Sequence, residues 1–260
     1  AQTIGQMAPE QIFKEYARHI GIGGIATAGI IGIIKSSGVI KSAVGLAVSE
    51  FKKKPGDAIA AAERPQEDLP MKTVVWGIAI ALIAVFAFFA FGGVVNTVWQ
   101  ALIGLVIVAV IAFLFTTVAA NAIAIVGTNP VSGMTLMTLI LASLVMVAAG
   151  LSGAEGMTAA LIIGGVVCTA LAVAGAFITD LKVGYWIGTT PKKQEIWKFV
   201  GVAVASATVA GVIMVLNKAY GFVGDDALVA PQANAMSAVI EPMMSGGSAP
   251  WLLYGIGAAI

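Results

Sequence analysis

Between residues 73 and 154 the chain carries no Asp, Glu, Lys or Arg. Further charge-free runs cover 156–179, 199–217 and 242–260. In water such runs would have to be hidden inside a globule and covered by polar residues. With 59% of its 260 residues hydrophobic and 10% charged, the chain lacks the polar surface to do so. A helix of about 20 residues crosses a hydrocarbon core roughly 30 Å thick. Backbone polar groups must be satisfied internally in lipid, and strand-like alternation is absent. The expected fold is therefore all-α, a polytopic helical membrane protein with broken or re-entrant helices.

The gaps between charge blocks predict spans at about 73–91, 98–126, 134–149, 157–178 and 199–216, with another beginning near Trp251. The stretch 134–149 is short for a crossing and reads as half-buried or re-entrant. Pro9 to Ile20 reads as an amphipathic helix. Residues 20–49 read as one tilted or broken helix buried against neighbours, since Gly24, Ala28 and Gly32 allow another helix to approach closely. The whole is one transmembrane domain. The final apolar run, 251–260, is too short to finish a span, and the polypeptide is expected to be a fragment of a longer protein.

Lysine and arginine in short loops set orientation. Lys52, Lys53, Lys54, Arg64 and Lys72 crowd the connector 50–72; Lys182, Lys192, Lys193 and Lys198 crowd 179–198. Neither type occurs in 92–97 or 150–156, and 217–250 holds only Lys218. Both basic connectors are expected on the cytoplasmic side, which fits the four spans between them.

Function classes fall away on composition. A net charge of +1 without a basic stripe excludes a nucleic-acid partner. One cysteine, Cys168, and one histidine, His19, allow neither an intrachain disulfide nor a His/Cys metal cage, so no metal and no cofactor are expected. No catalytic residue is assigned. His19 lies in the polar N-terminal region, away from any serine elbow motif. The run from Gly21 to Ala26 fits a dinucleotide fingerprint formally but follows no strand, and Gly224-Asp225 resembles an intramembrane protease site without its preceding glycine.

The strongest internal signal is a polar interruption, Gly127-Thr128-Asn129-Pro130-Val131-Ser132-Gly133-Met134-Thr135. Pro130 removes a backbone donor and clashes with the carbonyl of Val126. Asn129, before proline, is pushed away from helical angles, and Gly127 and Gly133 tolerate a break. Freed backbone groups at membrane depth survive only against protein or a water-filled cavity. Broken helices of this kind build substrate sites in secondary transporters. Thr117, Asn121, Thr128, Ser132 and Thr135 are spaced to share one helical face, with Thr138 close by. Hydroxyls and amides also act as interhelical glue, worth about 0.6–2 kcal/mol each. Glue does not require broken backbone, so stripe and break together favour a pathway.

Glu155 and Asp180 are the carboxylates nearest to apolar segments, and a carboxylate held inside a membrane marks a proton or ligand site. Glu155 also reads as part of an exposed turn, and Asp180 as an interfacial partner of Lys182. Residues 217–250, with Gln232, Asn234 and Glu241, read as an extracytoplasmic loop or, more in keeping with their polar content, as a partly re-entrant element lining a cavity.

Four stretches carry a family resemblance: Tyr16-Ala17-Arg18-His19-Ile20-Gly21-Ile22-Gly23; the interruption from Gly127 to Thr135; Asp180-Leu181-Lys182-Val183-Gly184-Tyr185-Trp186-Ile187-Gly188-Thr189-Thr190-Pro191-Lys192-Lys193-Gln194; and Ala230-Pro231-Gln232-Ala233-Asn234 with Pro250-Trp251 after it. In this order the chain resembles the oligopeptide transporter family, in its prokaryotic branch. The resemblance implies a secondary active transporter of the prokaryotic cytoplasmic (inner) membrane. Its partners would be protons and small peptides, or metal chelates of amino-acid-derived ligands. Asn129, Pro130, Ser132 and Gly133 would form the broken-helix part of the pathway, joined by Asn121, Thr128 and Thr135 from the polar stripe. Gln232 and Asn234 would lie near a second discontinuous element. Asp180, Gly184, Tyr185, Gly188, Pro191 and Gln194 would pattern a cytoplasmic connector. Candidates for the coupling proton are Glu155, Asp180 and Glu241. A passive channel lined by the stripe, and an intramembrane enzyme, are the alternatives.

Overall fold

The computed structural model describes residues 7–35, 37–52, 64, 67–127, 131–222, 231–244 and 250–260, with backbone only at 47, 50–52, 131, 132, 231 and 232. The described residues form helices and contain no strand. In chain order these are α1 (Pro9–Ile12), a π-helical turn (Phe13–Ala17), α2 (Arg18–Lys35), α3 (Ser37–Lys52), α4 (Met71–Phe91) and α5 (Val98–Val126). They are followed by α6 (Val131–Ala148), α7 (Gly153–Ile187), α8 (Pro191–Ala219), α9 (Pro231–Met244) and α10 (Trp251–Ala259). Five stretches are long and apolar enough to cross a membrane: Pro9–Lys35, Met71–Phe91, Val98–Val126, Gly153–Ile187 and Pro191–Ala219.

The core lies between α5, α6 and α7, with α4 packed on α5 and α9 laid along α6 and α7. Small residues permit the close approach. A Cβ on Gly104 of α5 would stand 3.1 Å from the Phe89 ring of α4 and 3.4 Å from Ile163 of α7. One on Gly164 of α7 would collide with the Leu139 side chain of α6. Without a hydrophobic drive between helices in lipid, such van der Waals contact supplies much of the association energy. On α6, Met134, Thr135, Leu136, Met137, Thr138 and Leu139 are buried in succession. Six consecutive residues cover every side of a helix with 3.6 residues per turn. This half of α6 is therefore enclosed by protein on all sides.

The bundle has two polar ends. At one, the Asn96 amide donates to the Glu155 carboxylate at 2.6 Å, tying the loop before α5 to the first turn of α7. At the other, the two basic connectors meet. Lys192 pairs with Glu67 at 2.9 Å, its amide donates to the Glu67 carbonyl at 2.9 Å, and the Leu69 amide donates to Glu195 at 2.8 Å.

The region 20–49, read as one tilted or broken helix, contains α2 and α3. The connector 179–198 is helical except at 188–190: Gly188 takes φ 73° as the C-cap of α7, and Pro191 opens α8. Charge draws the segment into water, but helix continues until a left-handed glycine and a proline stop it. At 1.5 Å per residue, the 35 residues of α7 exceed the roughly 30 Å hydrocarbon core, so its end projects as a helical elbow. Within 217–250, residues 231–244 form α9, with Val239, Ile240 and Met244 buried in the bundle.

Candidate functional site

The polar interruption does separate two helices. α5 ends at Val126, Gly127 caps it at φ 79° with its amide donating to the Ile123 carbonyl at 2.8 Å, and α6 begins at Val131. Thr128, Asn129 and Pro130 lie outside the described residues, and Ser132 is described by its backbone alone. On the α7 side, Lys182 reaches across to donate from Nζ to the Ala124 carbonyl at 2.6 Å, and stands 5.8 Å from the centre of its own helix's Trp186 ring. A cation here complements the negative end of the α5 dipole and satisfies a carbonyl that a continuing helix would have used. The approach to the break on the α5 side is thus held at the level of Lys182, next to the projecting elbow.

Below that level lies a groove of about 400 Å³ between α6, α7 and α9, with Thr135, Leu139, Gly164, Cys168, Thr169 and Met236 on its walls. The volume is in the range of small-ligand sites, roughly 300–1,000 Å³. Its polar groups are few. Thr135 is buried at its base, and Thr169 donates to the Gly165 carbonyl at 2.9 Å. The groove exists because Gly164 and Gly165 leave α7 without side chains where α6 and α9 pass.

The remaining sequence-predicted residues stand away from the groove walls. Gly133 sits at the α2 side of α6, where a Cβ would lie 3.2 Å from Ile25. Thr138 is buried and donates to the Met134 carbonyl at 2.8 Å, whereas Thr117 donates to the Phe113 carbonyl and Asn121 is exposed on α5. The stripe therefore turns from an open face on α5 to an enclosed one on α6. Asn234 is exposed on α9, and its carbonyl accepts from Arg18 Nη1 at 3.4 Å; the Gln232 side chain is outside the described residues. Glu155 is exposed and accepts from Asn96, Asp180 is exposed and pairs with Lys198 at 2.7 Å, and Glu241 is exposed on α9.

The connector motif builds the elbow. Gln194 lies against Gly184, Gly188 caps α7, Pro191 starts α8 and Tyr185 points outward. Sequence reasoning missed Cys168 and Met236 as groove walls, because neither residue type stands out in an apolar run. It also had no signal for the meeting of His19 with Tyr254 of α10, whose ring centres lie 5.6 Å apart.

The comparisons with known proteins agree with this architecture. The family model described as "OPT oligopeptide transporter protein" matches residues 1–260. A protein of Haemophilus influenzae named "Putative oligopeptide transporter" is 27% identical over 275 residues, a match covering 95% of this chain and 43% of that protein. The chain therefore spans less than half the length of this curated relative. No solved structure matches it. An all-α bundle of apolar helices, interrupted between α5 and α6 and matched from end to end by one family model, belongs to the oligopeptide transporter family.

Proposed function

We propose that the protein is a proton-coupled secondary transporter of the prokaryotic cytoplasmic membrane, importing small oligopeptides or amino-acid-derived metal chelates. The observation that carries this reading is the juxtaposition of a helix break with a groove of ligand size, on a helix enclosed by protein. In such a design discontinuous helices offer main-chain groups to cargo, and access alternates between the two faces around the site. The residues assigned to the pathway are Asn121, Thr128, Asn129, Pro130, Ser132 and Gly133, with Thr135 at the groove wall and Gln232 and Asn234 assigned to a second discontinuous element. The basic connectors face the cytoplasm, where short loops rich in Lys and Arg are retained.

The test is uptake by the full-length protein in liposomes under an inward proton gradient, with di- to tetrapeptides compared against iron chelates. Saturable, gradient-driven accumulation of either class supports the reading, with Asn129→Ala and Ser132→Ala lowering uptake at unchanged expression. Flux that neither saturates nor responds to the gradient contradicts it and indicates a passive pore.

A further inference from the structure

A proton-coupled carrier needs a group on its path that changes its protonation state, and the three carboxylates named as candidates are poorly placed for it. Glu155 and Asp180 stand exposed near the ends of α7 with partners at 2.6 and 2.7 Å, and Glu241 is exposed on α9. On α5 and α6 there is no titratable side chain at all.

His19 differs from all of these. It follows Glu10, Lys14, Glu15 and Arg18, at the start of the apolar part of the stretch Pro9–Lys35. Its Nδ1 is buried without a hydrogen-bond partner among the described residues, and so is the hydroxyl of Tyr254. The two rings face each other at 5.6 Å with a 60° tilt, and Trp251 closes the far side of Tyr254 edge-on at 6.0 Å. Beside them Arg18 donates to the carbonyl of Asn234, so that α2, α9 and α10 meet around this pair. The approach of α2 to α10 is fixed by backbone contact, since a Cβ on Gly257 would collide with the Ile20 carbonyl and one on Gly23 with the Tyr254 carbonyl. Buried polar atoms are almost always partnered, and an orphaned pair demands a reason. Here both orphans are groups able to give and accept a proton, and imidazole changes charge in the physiological range.

We propose that His19, with Tyr254 as its relay partner, is the residue that carries the coupling proton. The inference rests on the proton-coupled reading above. Nδ1 takes a proton from hydronium at one face, forming imidazolium and leaving water. The N–H bond breaks when that proton passes, through the Tyr254 hydroxyl or a bridging water, to the opposite face, so one charge moves per cycle and no other bond is made or broken. The stretch that carries His19 also carries Glu10, Lys14, Glu15, Tyr16, Arg18 and Lys35, α10 supplies Tyr254, α9 carries Glu241, α3 carries Lys41, and α5 and α6 supply none.

The experiment uses the full-length protein in liposomes loaded with a pH-sensitive dye, with trialanine as the probe. At one-to-one coupling, a gradient of one pH unit sustains accumulation of about tenfold. Wild type is expected to accumulate trialanine and acidify the lumen. His19→Gln is expected to lose accumulation and proton uptake, while trialanine exchange, though slowed, becomes insensitive to pH. Tyr254→Phe, which keeps the ring packing, is expected to shift the pH of half-maximal uptake by about one unit. His19→Gln that accumulates trialanine and moves protons like wild type overturns the assignment, as does a Tyr254→Phe profile identical to wild type. Wild type that exchanges trialanine without moving protons instead overturns the proton-coupled reading itself.

Discussion

Gln194 lies with its side-chain amide against the bare backbone of Gly184, across the elbow that joins α7 to α8. These are two of the patterned residues in the basic connector, and their contact gives that pattern a structural meaning. Gly184 is buried because the Gln194 side chain covers it, and Gly188 and Pro191 bring the two helices to that distance.

Any side chain at 184 must therefore displace Gln194. Gly184→Ala is expected to cost ~1–3 kcal/mol, as overpacking does. Gln194→Ala in the same chain should restore most of that loss, because neighbours in contact are not additive. Thermal unfolding in detergent of the two single variants and the double variant measures the coupling; strict additivity would contradict the contact.

The α2–α10 crossing offers a sharper contrast between two glycines on one helix. A Cβ on Gly257 meets the Ile20 carbonyl, part of a backbone that cannot rotate away, whereas one on Gly255 meets nothing within 4 Å. Gly257→Ala should destabilise the protein by about 2 kcal/mol or more, and Gly255→Ala should leave the unfolding temperature within a degree or gain slightly from helix propensity. Equal behaviour of the two variants would show that α10 does not pack on α2 in this way.

Cys168 offers a reporter in the groove wall. A small thiol reagent is expected to modify it in the membrane-embedded protein and to cut transport severalfold, with Cys168→Ser protein indifferent to the reagent. Thr135→Val, which removes one buried hydroxyl at nearly constant shape, should raise the KM for cargo by about tenfold if that hydroxyl bonds to cargo, the equivalent of ~1.4 kcal/mol. Uptake assays on both variants check this; a modified Cys168 with full transport would move the cargo path elsewhere.

Much of the fold was legible because long runs without charge leave a chain few choices. The interval between Lys72 and Glu155 holds α4, α5 and α6, and the Gly127–Pro130 interruption falls where α5 gives way to α6. Other features were less legible. Lysines mark the region 179–198 as wet, but wetness does not end a helix, and the stop came only at Gly188. α9 begins at Pro231 amid polar residues and is held by Val239, Ile240 and Met244, a pattern too short to distinguish from a loop. The His19–Tyr254 contact joins residues far apart in sequence, and no local spacing announces it. At the candidate site, Thr135 was legible through helical spacing, whereas Cys168 and Met236 join it only through the meeting of three helices.

The proposed pathway requires Asn129 to be reachable from water on the way to the groove. Asn129→Cys in a Cys168→Ser background of the full-length protein, treated with a membrane-impermeant thiol reagent, tests it directly. The introduced thiol is expected to be labelled, and transported cargo at about nine times its Kd is expected to slow the labelling about tenfold. A thiol at 129 that stays inert to the reagent on both sides of the membrane, with or without cargo, would contradict it.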